Sequence, residues 1–474
     1  MGAAAAVLAF GTASVAVALP ESYRLFFAST ITLVLITAAI SWPRTIAVIT
    51  LGFLCFLALI RRMLIESAGW AEFDPLLLVG PLVATALLAR TYLVAGRRPD
   101  EDRLVRVVIA LLALMALQVF NPSGSGIVPA LGGLLFLAVP LVWFLVGREL
   151  TDRTHVRVVA YGLLGVSVIA ALYGLAQTEI GFPSWDKDWI AISNIASLYI
   201  AENEVRGFGM LTNSAEYKQI LAMGTVAALA FGAHGKPVAL LTLPLLFTAL
   251  VLSGARSGIA LSLLGIILIT AIRIRNRRLA VAVAILGIGL SLVALSTLSD
   301  TLASVAGGST NAGVARQAAG YSDPFNPDKS TLPAHISLIY NGFVEGVSHP
   351  LGRGTANGNL ASTRLSSAGN TSSEFDVTDA LLALGVIGGV LYLYVVIVVL
   401  SRVIKEYRRS RDVLVLVAFG CLVVSLSGWL KGAHYAGASI LWFLAGWATA
   451  RQHVTQRAAP DPHMTRPQLG GAPR

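Results

Sequence analysis

The sequence predicts an all-α polytopic membrane protein of about 12–14 transmembrane helices, with a long outer loop carrying short helices. Three observations predict it. Of 474 residues, 56% are hydrophobic and 13% are charged, where a soluble chain would carry about 25% charged residues. Mean hydropathy is +0.75, and the apolar runs extend almost end to end, which excludes a soluble enzyme on a single anchor. Basic residues gather between those runs, as they do in cytoplasmic loops. That last point also accounts for the net charge of +10 without nucleic acid, since no long basic stretch interleaved with aromatics exists.

A spanning helix needs about 20 mostly apolar residues. In order, runs of this kind occupy about 3–19, 25–41, 44–60, 75–95, 104–120, 127–147, 157–177, 215–233, 237–253, 257–273, 279–297, 377–400, 412–430 and 435–450. The first ends near Pro20 and lacks a basic leader, so it reads as a helix and not as a cleaved signal. Cys55 and Cys421 both sit inside apolar runs, which argues against a disulfide framework or a thiolate metal site. The domain reading is a transmembrane bundle over 1–297 with an outer loop at about 178–213. A large outer loop follows over 298–376, then C-terminal helices over 377–450 and a basic, disordered cytoplasmic tail over 451–474.

Charge placement orients the chain. Arg97, Arg98 and Arg103; Arg148, Arg153 and Arg157; Arg273, Arg275, Arg277 and Arg278; and Arg402, Lys405, Arg408, Arg409 and Arg411 all fall on one side, the predicted cytoplasmic side. Arg61 and Arg62 break the pattern. Either they snorkel at the interface or the first three runs are miscounted.

Loops longer than about 15 residues are usually functional or disordered. In the large loop, Ile336, Ile339, Phe343 and Val347 recur at helical spacing within HISLIYNGFVEGV, so a helix lying on the membrane surface is expected. In the smaller loop, WDKDW at 185–189 reads as an interface anchor, because a lysine separates its aspartates and tryptophans flank it. No HExxH and no clustered His/Cys spacing suggests a metal.

The remaining charges gather at the outer boundary. Arg256, in LVLSGARSGIAL, is either a snorkelling helix-end arginine or a guanidinium that grips phosphate. Arg206 ends the smaller loop. Asn213 and Ser214 can cap the next helix, whose N-terminus favours an anion, and Lys218 lies about one turn inside. This set would suit a lipid-linked diphosphate. In the large loop, candidates are His335, which could simply begin a helix, His349 and Arg353 in the turn SHPLGRG, and Glu374, Asp376 and Asp379 in SSEFDVTDALLALGVIGG, where acids are also favoured as helix caps.

These segments, VRGFGMLTNSAEY, LSGARSG, HPLGRG and EFDVTDALLALGVIGG in that order over about 200–400, resemble the O-antigen ligase and O-antigen polymerase superfamily of bacterial envelope proteins. The resemblance implies a metal-independent, cofactor-free glycosyltransferase of the bacterial inner membrane. Such enzymes move a glycan from an undecaprenyl-diphosphate carrier on the outer leaflet. Arg206 and Arg256 match family arginines that hold the diphosphate, with Lys218 and Arg353 beside them. Where many ligases carry a His-Asn pair, about eleven residues before Gly385, this chain has Glu374 and Phe375. The departure favours a polymerase of O-antigen or exopolysaccharide over a ligase or protein O-oligosaccharyltransferase. Glu374 then serves as base, with His335 and Asp376 as the other candidates. The resemblance further implies a chain-length regulator and a flippase as partners. A transporter or lipid flippase is the competing class, and would carry paired ionisable residues in mid-span.

Overall fold

The computed structural model describes residues 23–71, 74–96, 102–124, 126–193, 195, 198–201, 204–254, 256–306, 318–358, 373, 375–426, 428–430 and 435–457. The expected helix over 3–19, Glu374 and the tail beyond 457 lie outside these residues. Among them the chain is helical apart from one two-stranded hairpin.

The helices follow the apolar runs closely: α1 (Tyr23–Ser41), α2 (Pro43–Met63), α3 (Pro75–Val94), α4 (Arg103–Phe120), α5 (Ile127–Leu150), α6 (Arg153–Glu179). The smaller loop then folds as α7 (Ser184–Ser193) and a hairpin of β1 (Tyr199–Ala201) with β2 (Glu204–Val205). After it come α8 (Ser214–Gly232), α9 (Pro237–Leu252), α10 (Arg256–Arg273), α11 (Arg277–Ala306), α12 (Leu332–Ser348), α13 (Asp376–Ser410), α14 (Val413–Val424) and α15 (Tyr435–Arg457). Among the described residues, eight helices are long and apolar enough to cross a bilayer. The chain is a multi-pass membrane protein.

Helix α11 runs to Ala306, beyond the expected loop start at 298, and no glycine or proline falls between 298 and 306 to interrupt it. Short polar caps start several helices: Asp102, Asp152, Asn213 and Asp412 each accept from the first backbone N–H groups, satisfying donors that the helix itself leaves open.

The basic clusters meet at one end of the bundle. Arg148 and Arg402 both bind Asp102, Arg153 pairs with Asp412, Arg411 donates to Arg273 O, and Arg273 donates to Ala233 O. Burial alone would raise the Asp102 carboxyl. The Arg402 and Leu104 hydrogen bonds and the charges of Arg148 and Arg402 hold it well below the usual carboxylate range.

Arg61 and Arg62 do not snorkel. They are 3% and 1% exposed. Arg61 Nε lies 2.8 Å from Asp74, which also binds Arg24, and Arg62 Nε lies 2.9 Å from Asp186. The same pair corrects the reading of WDKDW. Asp186 and Trp189 are 0% and 2% exposed, and Trp189 donates to Thr212 O. The segment anchors the interior and not the membrane interface.

Candidate functional site

The largest departure from simple up-and-down helices lies opposite the basic end. Helix α13 breaks at Gly385, whose φ of 74° and ψ of −175° are not helical. In a continuous helix, sixteen residues span about 24 Å. Yet the Tyr392 hydroxyl donates to Asp376 Oδ2 at 3.2 Å. Residues 376–384 therefore fold back along residues 386–392 as a helical hairpin. Glycine permits the close approach: a Cβ at Gly389 would lie 2.8 Å from Leu381 Cδ1.

The SHPLGRG turn closes the bend. Arg353 N–H donates to Leu382 O at 2.8 Å, Gly354 N–H to Ala383 O at 3.1 Å, and Val386 N–H to Pro350 O at 3.0 Å. Two segments distant in sequence are thereby joined by backbone bonds across the break. Gln118 and Asn121 on and after α4 fix the turn from the other side, donating to Leu351 O and Gly352 O. Helix α12 covers the hairpin with its glycine face. A Cβ at Gly342 would lie 2.4 Å from Ser373 Cβ, and one at Gly346 would lie 2.7 Å from Leu381. Its Ile336, Phe343 and Val347 face outward and are half exposed, the surface expected of a helix bedded in lipid.

A second break meets the first. Helix α14 starts at the basic end and has 12 residues, so it rises no more than about 18 Å into a core about 30 Å thick. The described residues of its continuation, 425–426 and 428–430, are non-helical and by that rise lie within the core. Such backbone needs partners supplied by the protein. Gln219 donates to Ser425 Oγ and Gly428 O, Trp442 Nε1 donates to Trp429 O, Leu430 N–H donates to Asp376 Oδ2 at 2.7 Å, and Ala436 N–H donates to Glu216 Oε1 at 3.0 Å. Asp376 thus bridges the hairpin to the broken α14–α15 connection.

One cation borders the same connection, and a second stands at the start of α10. Lys218 Nζ donates to Ser257 Oγ at 2.8 Å, which ties α8 to the residue following Arg256. Lys218, Gln219, Gly258, Ser425 and Gly428 line one narrow cleft. Arg256 packs against Gly320 and reaches Lys329 O, while the Tyr321 hydroxyl donates to Arg256 O. The large loop therefore rests on the start of α10. Burial pushes the Tyr321 phenol upward, against the Arg256 charge.

Arg206 is half-buried. Its backbone N–H donates to Leu198 O and its Nε–H to Tyr199 O. From there the GFGMLTN segment runs inward to α8. Gln177 accepts from Phe208 N–H and Gly209 N–H, and Arg62 donates to Gly209 O and Leu211 O. A Cβ at Gly207 would lie 2.7 Å from Gly174 O, which explains the first glycine, and Gly209 has φ of 58°, which explains the second. Asp186 is pushed upward by burial, against the pull of Arg62, Gln177 and Tyr173.

The structure unites Lys218 with the start of α10 at Arg256, and Asp376 and Asp379 with the hairpin, where Asp379 accepts from Ser373 N–H and Oγ–H. Arg353 is held by its backbone at the hairpin bend, but its guanidinium pairs with Glu345 and meets His349 Nε2, so its charge is already balanced. His335 lies in the first turn of α12, more than a turn from the hairpin contacts. Glu374 lies outside the described residues. The sequence did not point to Gln177, Glu216, Gln219 or Tyr392, and it placed Asp186 in an interface anchor. The signal was present for Glu216 and Gln219, polar groups within an apolar run.

No protein-family model matches the chain, and no curated protein matches it significantly.

Proposed function

We propose that the protein is an outer-leaflet polysaccharide polymerase of the bacterial inner membrane, which joins undecaprenyl-diphosphate-linked oligosaccharide units of an O-antigen or exopolysaccharide. The observation that carries this reading is the meeting, at the residues that follow α14, of a cation and a buried carboxylate: Lys218, tied to the residue after Arg256, lines a cleft with Ser425 and Gly428, and Asp376 accepts from Leu430 N–H. Both lie at the end of the bundle away from the orienting basic clusters.

In this reading Arg256 and Lys218, with Arg206 at the entry of α8, hold the donor diphosphate and stabilise the charge it gains on leaving. A hydroxyl oxygen of the acceptor glycan bonds to the anomeric carbon of the donor. The anomeric carbon–phosphate oxygen bond breaks, and its electrons leave on the diphosphate. The hydroxyl proton passes to a carboxylate, for which Asp376 is the favoured group and Glu374, two residues before it, the next. His335 stands further from the connection. Arg353 positions the hairpin bend through its backbone. Lipid-linked glycan is the substrate, and a flippase and a chain-length regulator are the partners this reaction calls for. A ligase or protein O-oligosaccharyltransferase would use the same donor site with a different acceptor.

A transporter or lipid flippase is the second reading, and one observation favours it: discontinuous helices at membrane depth also form transport sites. Replacing Arg206 and Arg256 by Ala in the native host, followed by gel display of surface polysaccharide, tests the polymerase. Loss of long chains supports it, and an unchanged chain-length distribution in both variants refutes it. A deletion strain separates polymerase from ligase. Single repeat units still attached to their acceptor indicate polymerase, and accumulated carrier-linked polymer indicates ligase.

A further inference from the structure

At the basic end of the bundle, remote from the hairpin, a cleft of about 390 Å³ opens among the start of α2, the end of α3 and the α5–α6 connection. Trp42, Arg44, Thr45, Arg90, Glu149 and His155 are among its walls. Backbone carbonyls anchor both arginines: Arg90 Nε–H donates to Ile40 O at 2.9 Å, and Arg44 Nε–H to Leu150 O at 2.9 Å. A carbonyl fixes a guanidinium without neutralising it. Among the described residues the terminal amino groups of Arg90 have no partner, while Arg44 gives one to Asp152 at 3.2 Å. Asp152 is divided among several donors, since it also caps α6 through Thr154 N–H and His155 N–H and binds the His155 ring.

Exposed apolar side chains adjoin the lining residues in sequence. Trp42 is 65% exposed, Ile40 54%, Leu93 82% and Val94 79%. Leu93 and Val94 belong to a π-helical turn that begins at Arg90, a distortion frequent at functional sites. A cleft with two anchored guanidiniums, an exposed tryptophan at a helix end and exposed aliphatics beside it combines the elements of basic headgroup pockets between membrane helices. A free anion would have no use for the aliphatic side chains.

We infer that this cleft binds the phosphodiester of a phospholipid from the leaflet at the basic end, with Arg44 and Arg90 on the phosphate and the acyl chains along Ile40, Leu93 and Val94. Phosphatidylglycerol and phosphatidylethanolamine both supply that phosphodiester. The inference stands independently of the catalytic reading.

Native mass spectrometry of the full-length protein in detergent tests it, with dioleoyl phosphatidylglycerol and dioleoyl phosphatidylethanolamine titrated separately and inorganic phosphate as competitor. The wild type should retain lipid of at least one of these classes. Arg44→Gln with Arg90→Gln should weaken retention at least about tenfold, equivalent to about 1.4 kcal/mol. Arg277→Gln with Arg278→Gln, on the same basic end outside the cleft, should not. Should the first pair fail to fold, Thr45→Trp fills the cleft from an exposed position and should weaken retention likewise. Retention unchanged in the cleft variants, equal loss in the control pair, or displacement of the lipid by millimolar phosphate would each overturn the inference.

Discussion

The Tyr392 hydroxyl and the Asp376 carboxylate are hydrogen-bonded at 3.2 Å although sixteen residues separate them within one helical segment. Only a fold-back at Gly385 allows this, and the fold-back brings Asp376 to the Leu430 N–H of the broken α14–α15 connection. If Asp376 accepts the proton in glycosyl transfer, Asp376→Asn should leave a folded protein. Asn can still accept from Leu430, but activity should fall by about 10²–10⁴-fold. Tyr392→Phe should keep most activity and lose about 1 kcal/mol of stability. Turnover of lipid-linked donor by the two purified variants, set beside their melting temperatures, checks both outcomes.

The bend at Gly385 should tolerate no side chain. Its φ of 74° disfavours one, and a Cβ there would lie 2.3 Å from Pro350 O, a backbone atom that itself holds Val386 N–H. Gly385→Ala should destabilise the protein by several kcal/mol, through strain of about 1–3 kcal/mol plus the clash. Gly289→Ala, where a Cβ meets nothing within 4 Å, should be close to neutral. Detergent-solubilised melting temperatures separate the two.

Arg62 and Asp186 form a buried pair that fixes the inward run of the 207–213 segment. Removing one partner of such a pair usually costs about 3–5 kcal/mol, because the other charge is stranded. Arg62→Met should show that loss. Combining it with Asp186→Leu should recover only part of it, since Gly209 O and Leu211 O also lose their donor. A double-mutant cycle on unfolding measures the coupling.

Most of the helical framework was legible in the sequence because a bilayer requires long apolar runs, and each described helix of the bundle lies on one. The two breaks were not legible. Helix α13 carries an unbroken apolar pattern through Gly385, and the fold-back depends on a turn at 349–354 whose partner carbonyls lie about thirty residues away. The candidate cations were visible as boundary charges, and Lys218 does meet the residue after Arg256. What the sequence concealed was pairing. Arg61, Arg62 and Asp186 looked like surface charges because their partners, on other elements, cannot be read from local pattern.

At the basic end, stability should depend on pH through Asp102. Its folded pKa is depressed, so the stabilisation is fully present above the unfolded value of about 3.9 and is lost as pH falls through the lower folded value. Asp102→Asn should therefore melt well below wild type at neutral pH, and the gap should narrow only below about pH 4. Paired melting curves across that window test the sign.

The central claim is glycosyl transfer from a diphosphate-linked donor, and reconstitution tests it most directly. Purified protein in proteoliposomes is supplied with undecaprenyl-diphosphate-linked repeat units extracted from the native host. Products are then resolved as lipid and as glycan. A polymerase should give a ladder of longer glycans with matching release of undecaprenyl diphosphate, both abolished by Arg256→Ala. Movement of intact lipid-linked units across the bilayer, with no new glycosidic bond, would contradict it.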